Sequence, residues 1–242
     1  MTPRILATSG GFVGTGLWGV QRPGRTLLRA LKLTGKERPR VVLVMTASGD
    51  DPTYLAQMYS ALSEASCDVD HLALFTQPNR DPATLLPAAD VVWVGGGSVA
   101  NLLALWRLHG VDAAMREAWE SGTILAGGSA GSICWHVGGP TDSFGSTLQP
   151  VTNGLAFLPY GNGVHYDCEA QRRPLLTRLV ADGVLPTSYA TDDHIGILYE
   201  GTTPVEVICD MDVDPVSGPA AYRIERVGDS AVETRLPLGP IA

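Results

Sequence analysis

Residues 124–135 read ILAGGSAGSICW, an apolar run of strand length that enters a cluster of small residues around Ser129. Positions 127–131, Gly-Gly-Ser-Ala-Gly, satisfy the pattern G-x-S-x-G, and the apolar SICWHV that follows can begin a helix. A serine held at a sharp strand-to-helix turn needs such neighbours, because its backbone is strained and its flanks pack closely. Read this way, the stretch predicts an α/β fold with Ser129 at a helix N-terminus, where free N–H groups favour developing negative charge. The competing reading of the same residues is a small-residue turn without chemistry.

Outward from this turn, apolar runs of strand length recur at 4–8, 40–47, 69–75, 91–96, 123–128 and 187–191. Stretches with helical periodicity lie between most of them, at 24–35, 52–65, 99–110, 110–122 and 169–183. That alternation is the signature of a mainly parallel sheet flanked by helices. After Thr191 the pattern changes to short strands with turns: one hairpin is expected around Glu200-Gly201-Thr202 and another within AAYRIERVGDSAVETRL. These antiparallel C-terminal hairpins are expected to extend one edge of the sheet, and DMDVDPVSGP at 210–219 reads as an exposed loop.

The 242 residues, 45% hydrophobic and 17% charged with no compositional break, fit one domain spanning 1–242. A net charge of −8 without a Lys/Arg cluster argues against nucleic acid or an anionic membrane as partner. Apolar runs fall short of the roughly 20 residues that span a bilayer, and MTPRILATSGGFVG lacks the apolar core of a secretion signal. A cytoplasmic location is therefore the expectation. Cys67, Cys134, Cys168 and Cys209 are scattered without a CxxC pair, so neither a disulfide framework nor a metal site is expected.

Gly95-Gly96-Gly97 ends an apolar strand, and in an open α/β sheet ligands bind beyond the carboxyl ends of strands. The triplet matches neither GxGxxG nor GxxxxGK[ST], so no cofactor is expected. An N–H from this loop, together with that of Ala130, is placed to stabilise an oxyanion near Ser129. Of the five histidines, His71 and His109 read as structural or solvent-facing, and His136 falls two turns into the helix expected after Ser129. His165 in LPYGNGVHYD and His194 in TDDHIGI remain, and spacing alone does not choose between them.

Taken together, VVWVGGGSVANLL, ILAGGSAGSICW, GVHYD and YATDDHIGILYEG resemble, in order from about residue 40 to 210, the peptidase E group of serine peptidases, which also contains the cyanophycinases. The resemblance implies a fold similar to the class I glutamine amidotransferases, with Ser129 as nucleophile and His165 as general base. Aligning the family's hairpin turn with Glu200-Gly201 places the third member at Asp193; Asp192 is the choice for a one-residue slip, and Glu200 is a rival because the aspartyl dipeptidases use a glutamate. Asp193 is preferred on geometry, since a hairpin tip lies several residues, at ~3.3 Å each, from the strand start.

The implied chemistry is acyl transfer: His165 takes the Ser129 proton, Asp193 holds the imidazole tautomer, and Ala130 with Gly97 forms the oxyanion hole. Family dipeptidases bind an N-terminal aspartate through an arginine after the catalytic histidine, a role that falls here to Arg172 and Arg173. The expectation is a serine peptidase acting on small peptides, dipeptides with an acidic first residue above all. The alternatives are a cyanophycinase-like or isoaspartyl-peptide hydrolase, and a non-catalytic relative that binds a small ligand. Pairing with a second copy of the chain is left open.

Overall fold

A computed structural model describes residues 2–17 and 19–241. In chain order the first half comprises β1 (Arg4–Thr8), β2 (Phe12–Gly14), β3 (Gln21–Pro23), α1 (Arg25–Leu33), β4 (Arg40–Val44), α2 (Pro52–Leu62), β5 (Asp68–Leu72), α3 (Pro82–Leu85), β6 (Val91–Val94), α4 (Val99–His109) and α5 (Val111–Ser121). The second half comprises β7 (Ile124–Gly128), α6 (Ala130–Ile133), β8 (Gly139–Thr141), β9 (Gln149–Val151), β10 (Gly161–Gly163), α7 (Arg172–Ala181), β11 (Ser188–Thr191), β12 (Ile195–Glu200), β13 (Thr203–Cys209), β14 (Ala221–Val227), β15 (Ser230–Leu236) and β16 (Gly239–Pro240).

The main sheet runs β16-β13-β12-β1-β7-β6-β4-β5. Its β5, β4, β6, β7 and β1 are parallel, while β12, β13 and β16 extend it antiparallel beyond β1. The expected α/β class is thus the observed one. Side chains of a strand alternate between faces, and the parallel strands feed two cores in this way. Val42, Val44, Val92 and Val94 pack with α4 and α5 around Leu102, Trp106 and Met115, while Val41, Leu43, Val91 and Trp93 pack with α1 and α2 around Leu27, Met58 and Leu62. Each such buried aliphatic stabilises the sandwich by about 1.5–3 kcal/mol relative to exposure, an upper range since the unfolded chain is itself partly collapsed.

Two expectations are corrected here. The strand at 187–191 and the second C-terminal hairpin do not extend the main sheet; β11, β14 and β15 form a second sheet, ordered β10-β11-β14-β15, closed over by α7. Period-2 alternation reports that a strand has a buried face but not which sheet buries it. Of the two hairpins, that of β12 and β13 extends the main sheet, with β16 beyond it. The helix after Ser129 is also shorter than expected, because after Ile133 the chain turns and the Val137 N–H bonds the Tyr160 carbonyl.

That short helix removes His136 from the Ser129 helix. The residue is fully buried, its Nδ1 2.8 Å from the Ser132 carbonyl and its ring edge-on to Tyr199. Burial, partly opposed by the Ser132 hydrogen bond, pushes its pKa from 6.5 down to about 4. The neutral ring is then favoured by the fold: its contribution is fully present above pH 6.5 and is lost as pH falls towards 4, where the unfolded chain takes up a proton the native state refuses. The loss should amount to ~3 kcal/mol, and urea midpoints between pH 7 and 4 should fall less steeply for His136→Gln than for wild type. Equal slopes for the two proteins would contradict this assignment.

Candidate active site

The carboxyl ends of β1, β6 and β7 converge on one edge of the main sheet, where open α/β folds bind ligands. Ser129 follows β7 directly with φ 56° and ψ −115°, outside the regions a serine favours, and its N–H is held 3.0 Å from the Thr8 carbonyl. The flanking glycines explain how the turn closes. A Cβ on Gly127 would run into the Gly131 carbonyl, and one on Gly131 into the Val94 carbonyl. Larger residues would push the turn off the sheet. Ala130, the first residue of α6, has one of the N–H groups that a helix start leaves without an intrahelical acceptor.

His165 and Asp193 arrive from the second sheet. His165 lies two residues beyond β10, and its N–H donates to Ser9 Oγ at 3.0 Å, while Ser9 Oγ donates to the Thr191 carbonyl at 2.9 Å. Ser9 therefore ties the end of β1 to the histidine loop, a role no sequence pattern singled out. Asp193 sits on the crossover from β11 in the second sheet to β12 in the main one, and its N–H donates to Asp167 Oδ1 at 2.9 Å. The two side chains meet with His165 Nδ1 2.6 Å from Asp193 Oδ1. Partial burial raises the Asp193 pKa, but hydrogen bonds from His165 and Cys168 and the nearby histidine charges outweigh it and hold the carboxyl below its ordinary value.

Ser129, His165 and Asp193 line a single cavity of about 250 Å³ together with Ser9, Phe12, Tyr54, Trp93 and Gly96. Among the described residues, five non-glycine residues have positive φ, and three of them, Ser129 (56°), His165 (53°) and His194 (67°), line this cavity. Backbone strain of this kind persists only where surrounding structure enforces it, and it concentrates at functional sites. The aromatic wall joins Phe12 of β2 to Trp93 of β6, the two rings meeting edge-on at 5.3 Å. Burial raises the Tyr54 pKa, opposed by a hydrogen bond from the Gly96 backbone.

The other sequence candidates lie elsewhere. Glu200 is at the far end of β12, opposite Arg4 in the β1 pairing, and bonds the Arg4 guanidinium at 2.9 Å. Asp192 is buried and accepts from the Ala220 N–H at 2.9 Å and the Tyr222 hydroxyl at 3.2 Å, so it anchors the second sheet. In the glycine loop, a Cβ on Gly97 would meet the Ala47 carbonyl, whereas one on Gly96 would lie 3.2 Å from Ser129 Cβ. Gly96 is the residue of that loop that faces the serine.

Arg172 and Arg173 do not line the cavity. Arg172 is buried and bonds Glu169 at 2.7 Å and the Pro140 carbonyl, while Arg173 bonds Glu233 at 2.6 Å and lies over the rings of Tyr166 and Tyr222. Both stiffen α7 against its surroundings. His194, left beside His165 by spacing, separates the cavity from a second one of about 570 Å³ that is also lined by Arg22, Arg25 and Asp210. Asp210 joins the segments on either side, accepting from Gly11 N at 2.6 Å, Thr26 N at 2.7 Å and Thr26 Oγ1 at 2.8 Å.

Comparison with known proteins fits this arrangement. Residues 20–207 match Peptidase family S51. The chain is 36% identical over 210 residues to the uncharacterized peptidase YgaJ of Bacillus subtilis strain 168, covering 86% of this chain and 87% of that one. It is 30% identical over 131 residues to Peptidase E of Streptomyces coelicolor, about half of each chain (52% and 51%). A peptidase from an acI-B1 Actinobacterium shares the fold at a TM-score of 0.72 and 15% identity, over 100% of this chain and 97% of that one. On the family match and the extended similarity to its relatives, the chain belongs to peptidase family S51 and is a serine peptidase.

Proposed function

We propose that Ser129, His165 and Asp193 form the catalytic triad of a peptidase for short peptides. The observation that carries the reading is the 2.6 Å contact of His165 Nδ1 with Asp193, in the same cavity as a serine on a strained strand-to-helix turn. With Nδ1 engaged by the carboxylate, the proton sits on Nδ1 and Nε2 is the free base. His165 Nε2 takes the Ser129 proton as the hydroxyl attacks the peptide carbonyl, and the resulting imidazolium is stabilised by Asp193. The Ala130 N–H and an N–H of the Gly96-Gly97 loop receive the oxyanion. The imidazolium then protonates the leaving amine, and water attacks the acyl-enzyme by the same route in reverse.

The preference for an acidic first residue enters the proposal through a different arginine. Arg22, exposed in the middle of β3 opposite Val13, lines the second cavity on the other side of His194 and carries no carboxylate partner among the described residues. Its guanidinium can grip a substrate carboxylate through two parallel hydrogen bonds. A panel of dipeptides with acidic, neutral and basic first residues tests this. Acidic substrates should be hydrolysed fastest, and Arg22→Ala should slow them by about 10- to 100-fold, the worth of a charge-assisted hydrogen bond, while neutral substrates are unaffected. An acidic preference that survives in Arg22→Ala would remove Arg22 from the account.

A further inference from the structure

After His165 the chain turns back on itself, with the Glu169 N–H donating to the His165 carbonyl at 3.2 Å. The turn returns Cys168, an exposed free thiol, onto the His165–Asp193 pair from the solvent side. The imidazole, the thiol and the carboxylate each offer one ligand atom, and these atoms lie within 4.8 Å of one another. No cysteine pair or metal motif in the sequence points to this, because the third ligand comes from the crossover 25 residues after Cys168.

We propose that His165, Cys168 and Asp193 form a binding site for a thiophilic divalent cation, zinc above all, and that its occupancy switches the peptidase off. Zinc takes thiolate, imidazole and carboxylate oxygen at about 2.0–2.3 Å, which sets tetrahedral ligand atoms about 3.3–3.6 Å apart, so the His165–Asp193 pair has to open from 2.6 Å and any wider separation, none beyond 4.8 Å, has to close by about an ångström. One carboxylate beside a thiol and an imidazole selects zinc over magnesium or calcium, which prefer all-oxygen shells. Three protein ligands leave a fourth position for water, and the exposed thiol gives the ion its way in. The ion displaces the thiol proton and binds the Asp193 carboxylate and His165 Nδ1, the nitrogen that faces it, so the imidazole proton moves from Nδ1 to Nε2. The contact between His165 and Asp193 is lost, and His165 can no longer accept the Ser129 proton.

The inhibitory part of this proposal rests on the triad reading above, whereas binding does not, so the test reads the two separately. Cobalt(II), a spectroscopic stand-in for zinc, should give a thiolate-to-metal charge-transfer band with wild type and with Ser129→Ala, and none with Cys168→Ser. Zinc should inhibit peptide hydrolysis by wild type, EDTA should restore it, and Cys168→Ser should need at least about tenfold more zinc for the same inhibition. A cobalt band without inhibition by zinc supports the site while counting against His165 as the base. The absence of a thiolate band in wild type, or equal zinc sensitivity of wild type and Cys168→Ser, overturns the proposal.

Discussion

Ser129→Ala is expected to lower kcat for peptide hydrolysis by about 10⁴-fold or more, with KM changed little. The substitution deletes the atom that forms the acyl bond, and no other hydroxyl takes its place. Ser9, the other serine lining the cavity, is committed through its Oγ to the His165 N–H and to Thr191. The fold should be unaffected, because Ser129 caps α6 without a side-chain hydrogen bond and the turn is closed by Gly127 and Gly131. Far-ultraviolet circular dichroism and the urea midpoint of the variant should therefore match wild type. A variant that keeps a tenth or more of the wild-type kcat would remove Ser129 as nucleophile.

The second large effect is expected at Asp193. Asp193→Asn should cost about 10⁴-fold in kcat, because an amide can donate to Nδ1 and so fix the imidazole in the tautomer that lacks a free base at Nε2. Since its neighbours hold the Asp193 carboxyl below the ordinary carboxylate range, it stays ionised as pH falls through that range, so wild-type kcat should not decline there through loss of the Asp193 charge. Glu200→Gln is the matched control. Its carboxylate is bound to Arg4 at the opposite end of β12, a part-exposed pair, so its loss should leave kcat unchanged and alter stability by no more than about 1 kcal/mol. The reverse outcome, with Glu200→Gln inactive and Asp193→Asn active, would reassign the acid.

These residues differ in how far the sequence reveals them. Ser129 was legible because its flanking glycines answer a local demand: the two close backbone approaches of the turn lie within a few residues of the serine or on the adjacent strand. The parallel part of the main sheet was legible for a similar reason, since strands buried on both faces stand out as continuous apolar runs between amphipathic helices. The second sheet was hidden, because β11 has the same alternation whichever partner covers it.

Contacts between distant segments were harder to read. Arg172 and Arg173 resemble solvated or ligand-facing arginines in sequence, and only the packing of α7 against Pro140 and Glu233 shows them spent within the fold. Gly96 and Gly97 are indistinguishable by type, and only the folded loop shows that Gly96 lines the cavity beside Ser129. Ser9, Asp167 and Asp210 escape notice altogether, since each acts through hydrogen bonds to backbone 26 or more residues away, apart from the neighbouring contacts they also make. The alignment of hairpin turns points to Asp193 because it fixes the start of β12, and with it the crossover between the sheets where Asp193 meets His165.

The most direct test of the central claim is active-site labelling with a serine-directed fluorophosphonate, followed by peptide mapping by mass spectrometry. The predicted result is a single adduct on Ser129 whose appearance parallels the loss of peptide hydrolysis, and which fails to form in His165→Ala. An adduct on a different residue, or full hydrolysis by protein in which Ser129 carries the label, would contradict it.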